Sequence, residues 1–368
     1  MTEERRLVQF DRDILGVLGA GIRVALRRPS MALAFCRLYR QQMRAKRRRR
    51  TWAAQGVHIP PLVIATITGR CNLRCKGCYA WAQGRPATRE MSPDLLLRTV
   101  AQAHDLGLST FLIAGGEPFC RPELLNITGT YPDIWFPVFT NGTLIDEKIV
   151  ARLQRQPHVW PLISLEGNRE ATDARRGNGI YDKVLSTMRA LDEAGVFFGT
   201  SITLTRQNYA AVTDDAFVSE LTAVGCRSFV YVNYIPVEEG TDDRVPSPEQ
   251  LYGEKALMAR LRRRHPAVFV RFPGDEEGNG GCLAAGKGLF HISPEGNLEP
   301  CPFAPYSDVS LHDMSLAQGL RQSRLFAAVR QQVPGLPGEA GRCLMHLNRE
   351  WLADTHARVS FPQESQPT

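Results

Sequence analysis

The chain has 368 residues, 43% of them hydrophobic and 23% charged, and a formal net charge of +7. That length exceeds one ordinary core and points to two domains or one barrel-sized domain with appendages, while the composition of the whole chain argues against disorder and against a polytopic membrane protein. The charge sits at one end: residues 1–56 hold fourteen Arg or Lys against four Asp or Glu, a local +10 that leaves the remainder at −3, so general nucleic-acid binding is disfavoured and the arm alone implies attraction to an anionic lipid, RNA or protein surface.

Along that arm Ile14, Leu18, Ile22 and Leu26 recur every four residues among charges such as Arg12 and Arg23, which predicts an amphipathic helix over 8–27, broken by Pro29. A second helix is predicted over 31–46, carrying Leu33, Phe35, Leu38 and Tyr39 into the basic run 46–50. Such a pair either docks on the next domain with its charged end in water or lies on a membrane surface. From Pro61, β-rich runs at 62–68, 110–114, 135–140, 162–165, 197–204 and 228–234 alternate with helical stretches at 93–106, 121–127, 146–155, 181–193, 214–224 and 248–264. That alternation is the pattern of a parallel sheet covered by helices. After Pro266 it is expected to stop, leaving a Gly-, Pro- and Cys-containing segment with one hairpin (288–293 and 297–300) around Pro294-Glu295-Gly296. The expected division is a basic helical region at 1–56, a barrel at 57–265, a small α+β domain at 266–358 and a disordered tail at 359–368.

Nine cysteines is an odd number whose spacing suits metal ligation better than a disulfide framework, and a reducing cytoplasm is the setting this implies. There is no signal-peptide pattern and no run near eighteen apolar residues. Cys71, Cys75 and Cys78, followed by Tyr79, come directly after the first predicted strand, at the carboxyl edge where barrel sites are built. Three thiolates on one loop can converge on an iron-sulfur cluster, and three rather than the usual four leave one iron open to a chelating molecule; a zinc knuckle is the other use of such thiols. The next strands end in Gly115-Gly116-Glu117-Pro118, Thr140-Asn141-Gly142-Thr143 and Ser164-Leu165-Glu166-Gly167. All four motifs would therefore face one mouth.

Taken in order, C-x3-C-x2-C, GGEP, TNGT and SLEG resemble the radical S-adenosylmethionine (SAM) superfamily, with Glu166 where the family's S-L-D-G has Asp. The resemblance covers residues 60–350 and implies a partial (β/α)6 TIM-like barrel whose catalytic 4Fe-4S cluster is held by Cys71, Cys75 and Cys78. It implies SAM as cofactor at the open iron, a reductant such as flavodoxin or ferredoxin, and reductive cleavage of SAM to a 5′-deoxyadenosyl radical. Tyr79, Gly115, Gly116 and Asn141 would border the cofactor, Glu117 would pair with its ammonium, and Ser164 and Glu166 would offer groups to its carboxylate or ribose. Arg176 is a further candidate for the carboxylate, against the reading of a solvated surface Arg.

Cys282, Gly296 and Cys301 form C-x13-G-x4-C, and Cys343 follows 42 residues later. This resembles SPASM and twitch domains and implies a second, auxiliary 4Fe-4S cluster on Cys282, Cys301 and Cys343. The fuller C-x2-C-x5-C-x3-C run is absent, and the family's closing C-x2-C reads Cys343-Leu344-Met345-His346, so His346 or an open site stands in for the fourth ligand. Cys120 is a passive cysteine or a hydrogen donor, Asp275-Glu276-Glu277 a solvated loop or the source of a base, and Cys36 and Cys226 read as core fillers. The basic arm does not look like a leader-binding module, so hydrogen abstraction from a metabolite or lipid is expected ahead of peptide maturation. A non-catalytic Fe-S or zinc scaffold is the alternative outside enzymes. The expected location is cytoplasmic, with the arm either on the barrel or peripheral to a membrane.

Overall fold

The computed structural model describes residues 3–26, 29–84, 89–273, 281–339 and 341–360. The apolar runs form β1 (Leu62–Thr66), β2 (Thr110–Ala114), β3 (Phe136–Thr140), β4 (Val159–Leu165), β5 (Gly199–Leu204), β6 (Ser228–Asn233), β7 (Val268–Phe272), β8 (Leu289–Ile292) and β9 (Leu298–Glu299). They make one curled sheet of order β7-β6-β5-β4-β3-β2-β1-β8-β9, parallel throughout except for the β8–β9 hairpin. Strands this buried read as near-continuous hydrophobic runs because helices cover the outer face; β2 is buried at every residue.

Two helices fall where the sequence places them because their ends are chemically marked. Pro93–Leu106 starts at Ser92, whose hydroxyl accepts from the Leu95 N–H, and stops at Gly107 in the left-handed region (φ 85°). Pro248–Arg264 starts at a capping box of Ser247 and Gln250. The helix expected over 121–127 begins later, at Leu124, because a 3-10 turn (Pro118–Cys120) comes first and Arg121 is drawn inward to the carbonyls of Ile67 and Met91.

The alternation does not stop at Pro266. Val268–Phe272 pairs in parallel with β6, and the expected hairpin extends the same sheet from its other edge, Leu62↔Leu289 to Ala65↔Ile292. The segment after 266 is thus tied to both edges of the barrel. The run Asp275-Glu276-Glu277 lies outside the described residues, as does the tail beyond 360; residues 359–360 close the helix Arg349–Ser360.

At the chain's start, α1 (Glu3–Ala25) and α2 (Pro29–Ala54) form a hairpin against the amino ends of the strands. Phe10, Ile14, Leu18, Phe35 and Leu38 pack there on Leu62, Trp135, Trp160, Phe197 and Val268, with Phe35 and Trp160 rings 4.7 Å apart. The basic run is helical rather than a frayed end, because several of its cations are anchored. Arg49 is buried, pairs with Asp11 and donates to the Gly107 carbonyl, and Arg48 donates to the His104 carbonyl at 2.9 Å. These are cations at the carboxyl end of helix Pro93–Leu106, where the helix dipole favours them. No helix among the described residues is long and apolar enough to cross a membrane.

Candidate active site

The cysteine loop follows β1 and is laced to the turn after β2: Gly116 N–H donates to Thr68 O and Glu117 N–H to Arg70 O, both at 2.8 Å. A Cβ on Gly116 would stand 2.2 Å from Arg70 O, and one on Gly115 (φ +143°) 2.5 Å from Thr68 O. The two glycines therefore let two backbones lie against each other. From the other side Glu90 accepts from Thr68 Oγ1 (2.6 Å) and Gly69 N (3.0 Å). The loop is clamped on both flanks.

Glu117 is fully buried and its carboxylate is engaged by its own chain. Oε1 accepts from Thr140 Oγ1 (2.7 Å) and Phe119 N (3.1 Å), and Oε2 from Asn141 N (2.7 Å). Burial pushes its carboxyl pKa upward against those hydrogen bonds. It fastens the end of β2 to the end of β3. Asn141 then reaches the cysteines: Nδ2 donates to Asn72 Oδ1 at 2.9 Å and lies 3.9 Å from Cys71 Sγ.

The turn after β4 closes the third side. Glu166 is buried and bound by both Arg175 and Arg176, the latter through Nε (3.0 Å) and Nη2 (2.5 Å). Arg176 Nη1 lies 4.0 Å from Cys75 Sγ, while the Lys76 N–H donates to the Arg175 carbonyl at 2.9 Å and Arg175 Nε donates to the Lys76 carbonyl at 3.2 Å. Arg176 is thus no solvated surface residue: Glu166 holds it inward against the cysteine loop. Burial raises the Cys75 thiol pKa, opposed by Arg176, and burial raises that of Cys71 as well. Ser164 is half-buried on β4 with Oγ 3.2 Å from Ser201 Oγ.

Tyr79 opens a short helix beside the loop, its ring 5.5 Å from Phe303, and Gln83 donates to the Pro302 carbonyl at 3.0 Å. The turn that carries Cys301 therefore touches the segment that carries Cys78. Cys282 and Cys301 are buried; Cys343 and His346 line a small cleft with Asn233 and Tyr234 that neither Cys282 nor Cys301 lines. Cys120 ends the 3-10 turn near Cys71, and burial pushes Cys226 up to about 12, as suits a core filler. Sequence reasoning missed Asn72, Glu90 and Arg175, whose types gave no sign that they brace the loop.

Among the described residues no group of three or more His, Cys, Asp or Glu converges as a single-ion site. A four-iron cube sets its thiolates wider apart than one ion does, and three half-buried thiols on one braced loop, beside a guanidinium, fit such a cluster in number and softness.

A model of the Radical SAM superfamily matches residues 65–216, the stretch that holds all four strand-end motifs. The chain is 25% identical over 313 residues to the AdoMet-dependent heme synthase of Methanosarcina barkeri, covering 77% of this chain and 88% of that one. It is 27% identical over 315 residues to the mycofactocin maturase MftC of Mycolicibacterium smegmatis, covering 78% and 76%. Among solved structures, Streptococcus suis SuiB bound to precursor peptide SuiA superposes with a TM-score of 0.65 at 18% identity, over 79% of this chain and 72% of SuiB. At that identity the likeness is one of fold.

Proposed function

Since the chain belongs to the radical SAM superfamily and is an enzyme of that kind, we propose that Cys71, Cys75 and Cys78 hold its SAM-binding 4Fe-4S cluster and that it abstracts a hydrogen atom from a peptide substrate. When bound, cluster and SAM supply one-electron cleavage of the sulfonium and the hydrogen-abstracting power that follows. The chain's own part is to hold the loop still and orient what lies on it. Gly115 and Gly116 seat the loop on β2, Asn141 and Arg176 border the thiols, and Glu117 and Ser164 border the space a cofactor would fill. Cys282, Cys301 and Cys343 would hold the auxiliary cluster.

The observation that carries this reading is the fastening of three strand-end turns to one cysteine loop, through Gly116 to Thr68, Asn141 beside Cys71, and Arg176 beside Cys75. For the substrate, similarity to a mycofactocin maturase along most of the chain, and the fold shared with a peptide-bound enzyme, support a peptide over the lipid or small metabolite that the arm suggested. A porphyrin-like substrate is the second reading, favoured by similarity spanning 88% of a heme synthase.

Anaerobic reconstitution tests the proposal. About eight irons per chain and reductant-dependent 5′-deoxyadenosine, abolished in Cys75→Ala, are expected, with flavodoxin or ferredoxin as electron donor. Bound zinc without SAM cleavage would return the protein to the scaffold class. Deuterium transfer into 5′-deoxyadenosine from a labelled peptide, rather than from a labelled porphyrin, decides the substrate.

A further inference from the structure

Below the cysteine mouth, the inner faces of the strands and α1 enclose a chamber of about 1110 Å³, at the top of the range of small-molecule pockets. None of Cys71, Cys75, Cys78, Glu117 or Ser164 lines it. Its wall includes Leu112, Phe139, Leu162 and Val230, and Ile14 and Val17 of α1 close the opposite side. Side chains on a strand alternate, so Phe139 shares a face with Asn141 and Leu162 with Ser164. The chamber therefore runs up the inside of the barrel to the underside of the candidate site.

Its mouth is cationic. Arg12 and Arg23 of α1 and Lys255 and Arg262 of helix Pro248–Arg264 line it and are exposed; Asp13 and His265 are the other titratable groups there besides the buried Arg271. Tyr252 lines it too and is 77% exposed. The hairpin at the same amino end of the barrel bears a second unusual surface. On α2 the exposed Leu33, Arg37, Arg40, Arg44 and Arg47 recur at three- and four-residue spacing, which puts them on one face. Tyr39 and Met43 stand exposed beside them, and Leu26 is 65% exposed at the end of α1. Apolar side chains interleaved with guanidinium groups suit a lipid headgroup layer better than a duplex, whose phosphates ask for charge alone.

We propose that the α1–α2 hairpin seats the protein on an anionic bilayer and that the chamber accepts one apolar chain of a lipid drawn from it. The cations at the mouth meet the headgroup while the strand interior takes the tail. This goes beyond the reaction and needs neither cluster nor SAM, so it stands or falls separately from the radical chemistry.

Trp135 and Trp160 line the chamber and serve as reporters. The full chain with Trp52→Phe, Trp81→Phe and Trp351→Phe leaves these two as its indole fluorophores. It is mixed with phosphatidylglycerol vesicles whose acyl chains carry a nitroxide quencher, and with phosphatidylcholine vesicles bearing the same label. Co-sedimentation and saturable quenching are expected with phosphatidylglycerol, and affinity should fall at least about tenfold when Arg37, Arg40 and Arg44 are changed to Glu. Val230→Phe with Leu112→Phe, which narrows the chamber from two walls, should keep co-sedimentation and weaken quenching. Vesicle binding without quenching in the parent protein overturns the chamber assignment. Equal binding to phosphatidylcholine overturns the role of charge. No vesicle binding, or capture of an RNA homopolymer instead, overturns the whole.

Discussion

Glu117 accepts hydrogen bonds from two backbone N–H groups and the Thr140 hydroxyl, so its first role is to hold the ends of β2 and β3 together. Glu117→Ala strands those donors in a buried place and is expected to cost about 2–4 kcal/mol in urea unfolding of the apo protein, with a smaller loss for Glu117→Gln. A second buried group sets a pH dependence. His158 donates from Nε2 to the Thr128 carbonyl at 2.9 Å, and burial holds its pKa below the ordinary 6.5. The fold thus disfavours the proton that the unfolded chain accepts. Stability from this group is fully present above pH 6.5 and is lost as pH falls below it; His158→Gln should flatten the stability profile there, read as urea midpoints between pH 8 and pH 5. The three loop cysteines were singled out by their spacing, and the structure sets them on one braced loop. Arg176 was half legible: it was a candidate, but in a run of Asp173, Arg175 and Arg176 the rival reading is a solvated charge, and only the fold reveals that Glu166 draws both guanidinium groups inward.

At the scale of elements, legibility follows local marking. Helix Pro93–Leu106 carries a serine at its start and a glycine just past its end, and its bounds were readable to the residue. β7 was missed because it is short and follows directly on Pro266, which reads as the end of the alternation rather than as the break before one more strand. The arm was half legible. Its apolar spacing announced helices, but nothing in a row of arginines distinguishes the buried Arg49 from the exposed Arg50 beside it. Because Arg49 pairs with buried Asp11 and caps the Gly107 carbonyl, Arg49→Met should cost about 3–5 kcal/mol by leaving Asp11 with Lys46 at 3.5 Å as its remaining cation. Deleting residues 1–56 uncovers Trp135, Trp160 and Phe197 together. Aggregation of the truncated protein, seen by light scattering, is the expected outcome.

Across the whole molecule, the pairing of β8 with β1 joins residues more than two hundred positions apart, a relation no local pattern encodes. It makes the cysteine segment after 281 part of the barrel wall rather than a detachable appendage. If Cys282 and Cys301 hold a second cluster as proposed, Cys282→Ala with Cys301→Ala should lower iron from about eight to about four per chain while SAM cleavage persists; loss of all iron would show that disturbing this stretch of the wall reaches the loop after β1. The clamped loop has a further consequence. Glu90, Glu117 and Glu166 brace its surroundings entirely with protein atoms, so the shape of the proposed socket is fixed by the polypeptide itself. If the loop holds iron as proposed, protein stripped of it by air is expected to refill on anaerobic reconstitution without first unfolding, the polypeptide outlasting its inorganic occupant.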